Sequence, residues 1–337
     1  MRGDEIVKRG RRLNQADIAD RLGISVSTVS RALANEAGIS PAVRQDVQEL
    51  ARTLGYRSKR VGSTLANRRA LAFVPLGSAT SGLSGFYFGI VEGMRTAALH
   101  AGLALDVRLI NEASLSVEAI KKDVAENGAT GLLLAGIDAA DELVAWCAAE
   151  DLPVVLVNGS DPQMRLSSVS PANFYGAQAA TRRLLEAGHR KLLHFTQELR
   201  PTIAQRRRGF ESAAKAAGAE AIVLNNLEVS AAEFAARLVG GAYDVTGLFL
   251  WNDIVAVQVL EAINRAGQTG RYSIVGFDDL PIASLATPRL STMHVDREAI
   301  GEAAIRLLRQ QMEGDRAVQQ LELGVRAVDG GTIQRAK

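Results

Sequence analysis

The sequence is short of the residues on which most metal, redox and covalent chemistry depends. Its single cysteine, Cys147, excludes an intramolecular disulfide. That cysteine sits in the apolar stretch LVAWCAAE and reads as a small buried hydrophobe. Four histidines, His100, His189, His194 and His294, are scattered rather than set at ligand spacing. The pattern offers no Ser/His/Asp set, no phosphate-cradling glycine loop and no metal cluster, so no metal or cofactor is expected. No apolar run reaches the length of a membrane span. The opening MRGDEIVKRGRR lacks the apolar segment of a secretory signal. These absences lead us to expect a cytoplasmic protein that has no membrane partner and is not an enzyme.

A net charge of either sign is nearly absent too, at +2, but its distribution is uneven. Residues 1–70 hold 14 Lys and Arg against 7 Asp and Glu, a net of +7, and the other 267 residues hold 25 against 30, a net of −5. A basic head on a mildly acidic body is the electrostatic footprint of a nucleic-acid-binding module joined to something else.

The head carries the stretch LNQADIADRLGISVSTVSRAL, residues 13–33. Apolar positions recur at helical spacing in Gln15–Leu22 and again in Val26–Leu33, and Gly23-Ile24-Ser25 lies between them. Two short helices around a tight glycine turn form a helix-turn-helix. Ser25 stands where an N-cap is wanted. Ser27, Thr28, Ser30 and Arg31 fall on the exposed side of the second helix, as hydrogen-bonding groups suited to base edges and phosphates. Ser40-Pro41 starts a third helix to about Leu54, which closes a small core. The basic segment 56–69 is weak in helix propensity at Gly62, Ser63 and Thr64, and reads as a linker or as a hinge that folds on a partner.

From Ala70 the pattern alternates short apolar strands with helices, which argues for parallel α/β sheets. The two halves look duplicated. Gly93, Gly102 and Gly131 match Gly209, Gly218 and Gly247, each pair offset by 116 residues. Two similar α/β subdomains facing each other would hold a small molecule at the carboxyl ends of their strands.

On these residues the chain resembles the LacI family of transcription regulators over nearly its whole length. The resemblance rests on DIADRLGISVSTVSRAL, LGYR at 54–57, EAGHRKL at 186–192, RRRGFESA at 206–213, WNDIVAVQVLEAINRAG at 251–267, IVGFDDLPIA at 274–283 and PRLSTM at 288–293. It implies a small all-α helix-turn-helix domain at 1–57, a hinge at 58–69 and a core at 70–337. That core is an α/β pair of doubly wound parallel-sheet subdomains of the periplasmic-binding-protein-like type I. The subdomains would span about 71–170 with 296–323, and about 171–295 with 324–335. It also implies a homodimer on a pseudo-palindromic double-stranded operator.

Carried onto this sequence, the resemblance gives Val26, Ser27 and Arg31 the base-reading positions, and gives Asn14 and Thr28 phosphate contacts. Leu65 becomes the minor-groove wedge, flanked by Lys59, Arg60 and Ser63 on the backbone. The hinge departs from the usual wording at Ser58 and Gly62. Effector contacts would come from Phe86, Tyr87, Arg206, Trp251, Asn252 and Asp278, with Asp253 as the cap of the following helix. Ala135 and Gly136 stand where a polar group is common, and the segment 168–173 lacks the acidic residue common before its Asn. The expected function is a repressor of a carbohydrate catabolic operon, released by a sugar or sugar derivative. A nucleoside- or purine-responsive regulator and a co-repressor-dependent repressor are the alternatives.

Overall fold

The computed structural model describes residues 14–33, 38–54, 68–76, 85–111, 116–197 and 200–336. The chain forms two compact units, 1–64 and 65–337. In the first, α1 (Gln15–Leu22), α2 (Val26–Leu33) and α3 (Pro41–Thr53) surround a core of Ile18, Ala19, Val29, Ala32, Val47 and Ala51. Local chemistry sets each boundary. Asn14 and Asp17 form a capping box at the start of α1, and Gly23, with φ 64°, ends it by donating its N–H to the Ala19 carbonyl. Ser25 Oγ accepts the Thr28 N–H at 3.0 Å, and Ser40 Oγ accepts that of Val43 at 3.3 Å, as the sequence suggests for both caps.

The second unit follows the alternation read from the sequence. A first lobe begins with β1 (Arg69–Pro75), α4 (Phe86–Ala101), β2 (Ala104–Ile110), α5 (Val117–Asn127), β3 (Gly131–Ala135), α6 (Asp141–Ala149), β4 (Val154–Val157) and β5 (Ser167–Pro171). A second lobe follows, with α7 (Asn173–Glu186), β6 (Lys191–Thr196), α8 (Pro201–Ala216), β7 (Glu220–Asn225), α9 (Ala231–Val239) and β8 (Gly247–Leu250). It continues through α10 (Asp253–Arg265), β9 (Ser273–Val275), α11 (Pro281–Leu285) and β10 (Thr292–His294). The chain then passes through α12 (Arg297–Met312) and β11 (Gln320–Leu323) to β12 (Arg326–Val328).

The first sheet has the order β11-β5-β4-β3-β1-β2 and the second β7-β6-β8-β9, while β10 and β12 form an antiparallel pair. Pairing is parallel throughout both larger sheets. Strands β3, β4 and β8 are buried at every residue, as parallel strands covered on both faces must be. In both sheets the first strand of the lobe lies between the second and the third. Each sheet therefore has a switch point, where a crevice opens at the carboxyl ends of the strands.

The duplicated glycines do the same work in both lobes. A Cβ at Gly93 would overlap the Glu298 carbonyl, and one at Gly209 would overlap that of Phe174. Both glycines bring two helices into backbone contact, α4 with α12 and α7 with α8. Gly102 and Gly218 end α4 and follow α8 with φ of 64° and 61°.

Several elements differ from the sequence reading. Apolar periodicity alone places the start of α4 at Gly89 and of α8 at Gln205, and the helices begin earlier, at Phe86 and Pro201. Strand β5 and helix α7 form over a segment the apolar pattern left blank. Three of the five β5 residues are serines, yet all five are buried. Ser167 Oγ accepts from Gln311 Nε2 at 2.8 Å and from the Gln319 N–H at 3.0 Å, which removes the penalty of burying the hydroxyl. Cys147 is 3% exposed, and burial pushes its thiol up to about 11, in keeping with an inert core position.

Candidate DNA-reading head and effector crevice

In the head, Val26, Ser27, Ser30 and Arg31 are exposed on α2, and the buried Val29 and Ala32 hold its opposite side. Val26 and Ser30, like Ser27 and Arg31, stand four residues apart and so share a face. Ser25 Oγ lies 2.8 Å from both Ser27 Oγ and Thr28 Oγ1, so the hydroxyls at the amino end of α2 form one bonded cluster. Asn14 is the N-cap, its Oδ1 taken by the Asp17 N–H. Lys59, Arg60, Ser63 and Leu65 lie outside the described residues.

In the core, the crevice residues follow the carboxyl ends of the strands. Arg206 on α8 is 3% exposed. Its Nε donates to Asn173 Oδ1 at 2.8 Å, Nη1 to the Trp251 carbonyl and Nη2 to Asp278 Oδ1 at 3.2 Å. Its guanidinium carbon sits 3.7 Å above the centre of the Phe277 ring. A guanidinium has five N–H donors, so three such bonds leave two for a ligand. Burial lowers the Arg206 pKa, an effect that the Asp278 charge opposes.

Asp278 follows β9 with φ 107°, a strained conformation for a residue with a Cβ. Its carbonyl accepts from Arg297 Nη1 at 2.6 Å and its N–H donates to the Met293 carbonyl at 2.8 Å, and these bonds hold it in place. Burial pushes its carboxyl up to about 6, although Arg206 and Arg297 pull the other way. Beside it, fully buried Asp253 accepts from the Leu280 N–H at 2.7 Å and from Thr292 Oγ1 at 2.5 Å. Burial and the Asp278 charge hold Asp253 well above the usual carboxylate range.

The two neighbours at the end of β8 exchange the roles expected of them. Asn252 is the cap of α10, its Oδ1 accepting the Val255 N–H at 2.9 Å, and Asp253 is an interior anchor. The Asn252 amide N–H groups remain for a ligand. Trp251 packs on the second-lobe core, and its buried Nε1 has no hydrogen-bond partner among the described residues. Phe86 is core, edge-on to Tyr87 with centroids 5.3 Å apart.

Tyr87 does more than pack. Its hydroxyl accepts from Asn158 Nδ2 at 3.0 Å. Burial raises its pKa, with Arg200 opposing and Asp278 adding, so the phenol lies within electrostatic reach of both. A Cβ at Gly136 would overlap that hydroxyl, which explains why no side chain stands there. Four crevice residues escaped the sequence reading: Asp138, Asn158, Asn173 and Arg200. Arg200 pairs bidentately with Asp138, Nε to Oδ2 and Nη2 to Oδ1, both at 3.0 Å. Their positions just past strand ends are the one signal that could have found them.

A helix-turn-helix head on a two-lobed α/β core with a polar crevice defines a ligand-binding transcriptional regulator. Comparison with known proteins agrees. The sequence model for bacterial regulatory proteins of the lacI family matches residues 16–59, and that for the periplasmic binding protein-like domain matches residues 181–333. The HTH-type transcriptional regulator GalS of Salmonella typhimurium is 29% identical over 311 residues, covering 88% of this chain and 89% of GalS. GntR of Pseudomonas aeruginosa is 27% identical over 296 residues, 86% of each chain. CelR of Thermobifida fusca is 26% identical over 326 residues, 92% of this chain and 94% of CelR. Among solved structures, a CelR–cellobiose complex superposes with a TM-score of 0.70 at 24% identity, over 95% of this chain and 100% of that one. The lac repressor dimer bound to operator and the anti-inducer ONPF gives 0.68 at 20%, over 96% and 100%. The two matched models, a lacI-family head and a periplasmic binding protein-like core, are the pairing that LacI-family regulators carry, and with these relatives they make the chain a DNA-binding transcriptional regulator, not an enzyme. Among the described residues no helix is long and apolar enough to cross a membrane.

Proposed function

We propose that the protein is a repressor of a carbohydrate catabolic operon, released from a pseudo-palindromic operator when a small sugar or sugar derivative enters the crevice. The observation that carries this reading is the set of polar groups converging there: Tyr87, Arg206, Asp278, the Asn252 amide and Trp251 Nε1, which has no partner among the described residues. Pre-positioned donors and acceptors beside aromatic faces suit a polyhydroxylated ligand. One solved neighbour is a complex with cellobiose and another holds ribose, in keeping with this class.

In this reading Val26, Ser27 and Arg31 read bases, Asn14 and Thr28 meet phosphates, and Lys59, Arg60, Ser63 and Leu65 form the hinge contacts. The head is 1–57, the hinge 58–69 and the core 70–337, with lobes of about 71–170 plus 296–323 and about 171–295 plus 324–335. The working form is a cytoplasmic, nucleoid-associated homodimer. Phe88 and Leu99, 70% and 79% exposed on α4, and Leu285, 76% exposed, supply apolar surface for the second copy. The ligand acts by favouring one angle between the lobes over another, and so changes the spacing of the two heads.

The test is a duplex-shift assay with the full chain. Arg31→Ala should weaken specific binding by about 1–3 kcal/mol while non-specific binding falls far less. A variant that binds its operator as tightly as the parent protein would refute the assignment of the reading helix.

A further inference from the structure

The Arg200–Asp138 pair spans the crevice. Asp138 follows β3 of the first sheet, and Arg200 lies between β6 of the second sheet and α8. The pair is bidentate, a fork-to-fork match. It is also only partly covered, at 20% side-chain exposure for Arg200 and 34% for Asp138. The other crevice pair, Arg206–Asp278, is far more enclosed, at 4% and 10%, and stays within the second lobe. Against Arg200 stands the Tyr87 phenol, which in turn accepts from the Asn158 amide, both from the first lobe.

We infer that Arg200 and Asp138 form a latch that holds the crevice shut in the ligand-free protein, and that the effector is an anionic sugar derivative whose carboxylate takes Asp138's place on Arg200. This inference rests on the crevice being the effector site and adds the ligand's charge and its mode of action. The chemistry favours an exchange of like for like. A ligand carboxylate offers Arg200 the same two-oxygen fork, so the guanidinium is never left unpaired in a desolvated place. Asp138 is the more exposed partner and can pass into water at little cost. A neutral sugar offers hydroxyl oxygens, whose uncharged bonds are about half as strong as those to a carboxylate. Displacing Asp138 removes a tie between the lobes, so binding and lobe movement become one event.

The test uses the full chain with D-gluconate, D-galactonate and D-glucuronate, set against neutral D-glucose and D-galactose. Titration calorimetry should show an acid binding the parent protein, with its neutral counterpart about tenfold weaker. Asp138→Asn should bind that acid about fivefold more tightly, the value of a partly exposed pair, and Arg200→Gln should lose the preference for acid. Hydrogen exchange supplies a reading that needs no ligand. Amides of residues 136–138 should exchange about fivefold faster in both variants, and a charge-swapped Asp138→Arg, Arg200→Asp protein should return toward the parent rate. A neutral sugar that binds as well as its acid, or no binding by any of the three acids, overturns the exchange. Unchanged amide exchange in both single variants overturns the latch. Failure of the repressor reading itself would show separately, as a parent protein that binds no operator.

Discussion

Replacing Arg206 with alanine should cost the second lobe much of its stability, not only its ligand. The side chain is 3% exposed, and Asn173, Asp278 and the Trp251 carbonyl all accept from it. Its removal leaves Asp278 buried beside Asp253 with no guanidinium on its carboxylate, and leaves two further acceptors unbonded. Breaking a buried pair from one side costs about 3–5 kcal/mol, because the surviving charge loses its partner without regaining water. In a domain of this size each kcal/mol moves the unfolding midpoint by about 2–4 °C, so the midpoint should fall by about 6–20 °C. Differential scanning calorimetry of the full chain measures this. Arg206→Ala combined with Asp278→Asn should recover about 2 kcal/mol, since the stranded charge is gone. If Arg206→Ala unfolds within about 1 °C of the parent, or the double variant is no more stable than the single, the pair is not the pillar described above. An effector response lost in Arg206→Ala must therefore be compared at a temperature where the lobe stays folded.

Three further predictions come from other parts of the core. Burial lowers His194 to about 3, with Nδ1 donating to the Phe249 carbonyl at 2.9 Å and the ring stacked on Phe249. A histidine held neutral when folded contributes stability fully above its unfolded pKa of about 6.5, and that stability is lost as pH falls toward about 3. The parent-minus-His194→Gln difference should thus be flat above about pH 6.5 and shrink by about 1.4 kcal/mol per pH unit below it; a pH-independent difference would contradict the burial account. Gly93→Ala and Gly209→Ala should each destabilise by about 3 kcal/mol or more because the methyl meets a helix backbone, while Gly102→Ala, in open space, should cost about 1 kcal/mol; equal costs in urea unfolding would contradict the contact argument. In the proposed homodimer, Leu99→Asp should shift the equilibrium toward monomer in sedimentation, and an unaltered equilibrium would remove α4 from the proposed interface.

Features that local chemistry fixes are legible in the sequence alone. Gly23, Ser25 and Ser40 punctuate the head, and the glycine pairs offset by 116 residues mark a repeat whose purpose is close helix contact and helix termination. Features that depend on distant partners are not legible in this way. Strand β5 hides behind its serines because Gln311, 144 residues away, is what satisfies Ser167. Asn252 and Asp253 both suit a cap, and only Leu280 and Thr292, which draw Asp253 inward, decide which one serves. Asp138 and Arg200 are 62 residues apart and follow strands of different sheets, so no periodicity connects them.

The most direct measurement for the central claim is selection of binding sites by the full chain from a randomised duplex pool, followed by titration of the selected duplex with and without the acid sugars. The account predicts two inverted half-sites about a central step, bound in a salt-sensitive way and released by an acid ligand. A single unrepeated half-site, no consensus at all, or binding that no ligand in the panel alters would contradict it.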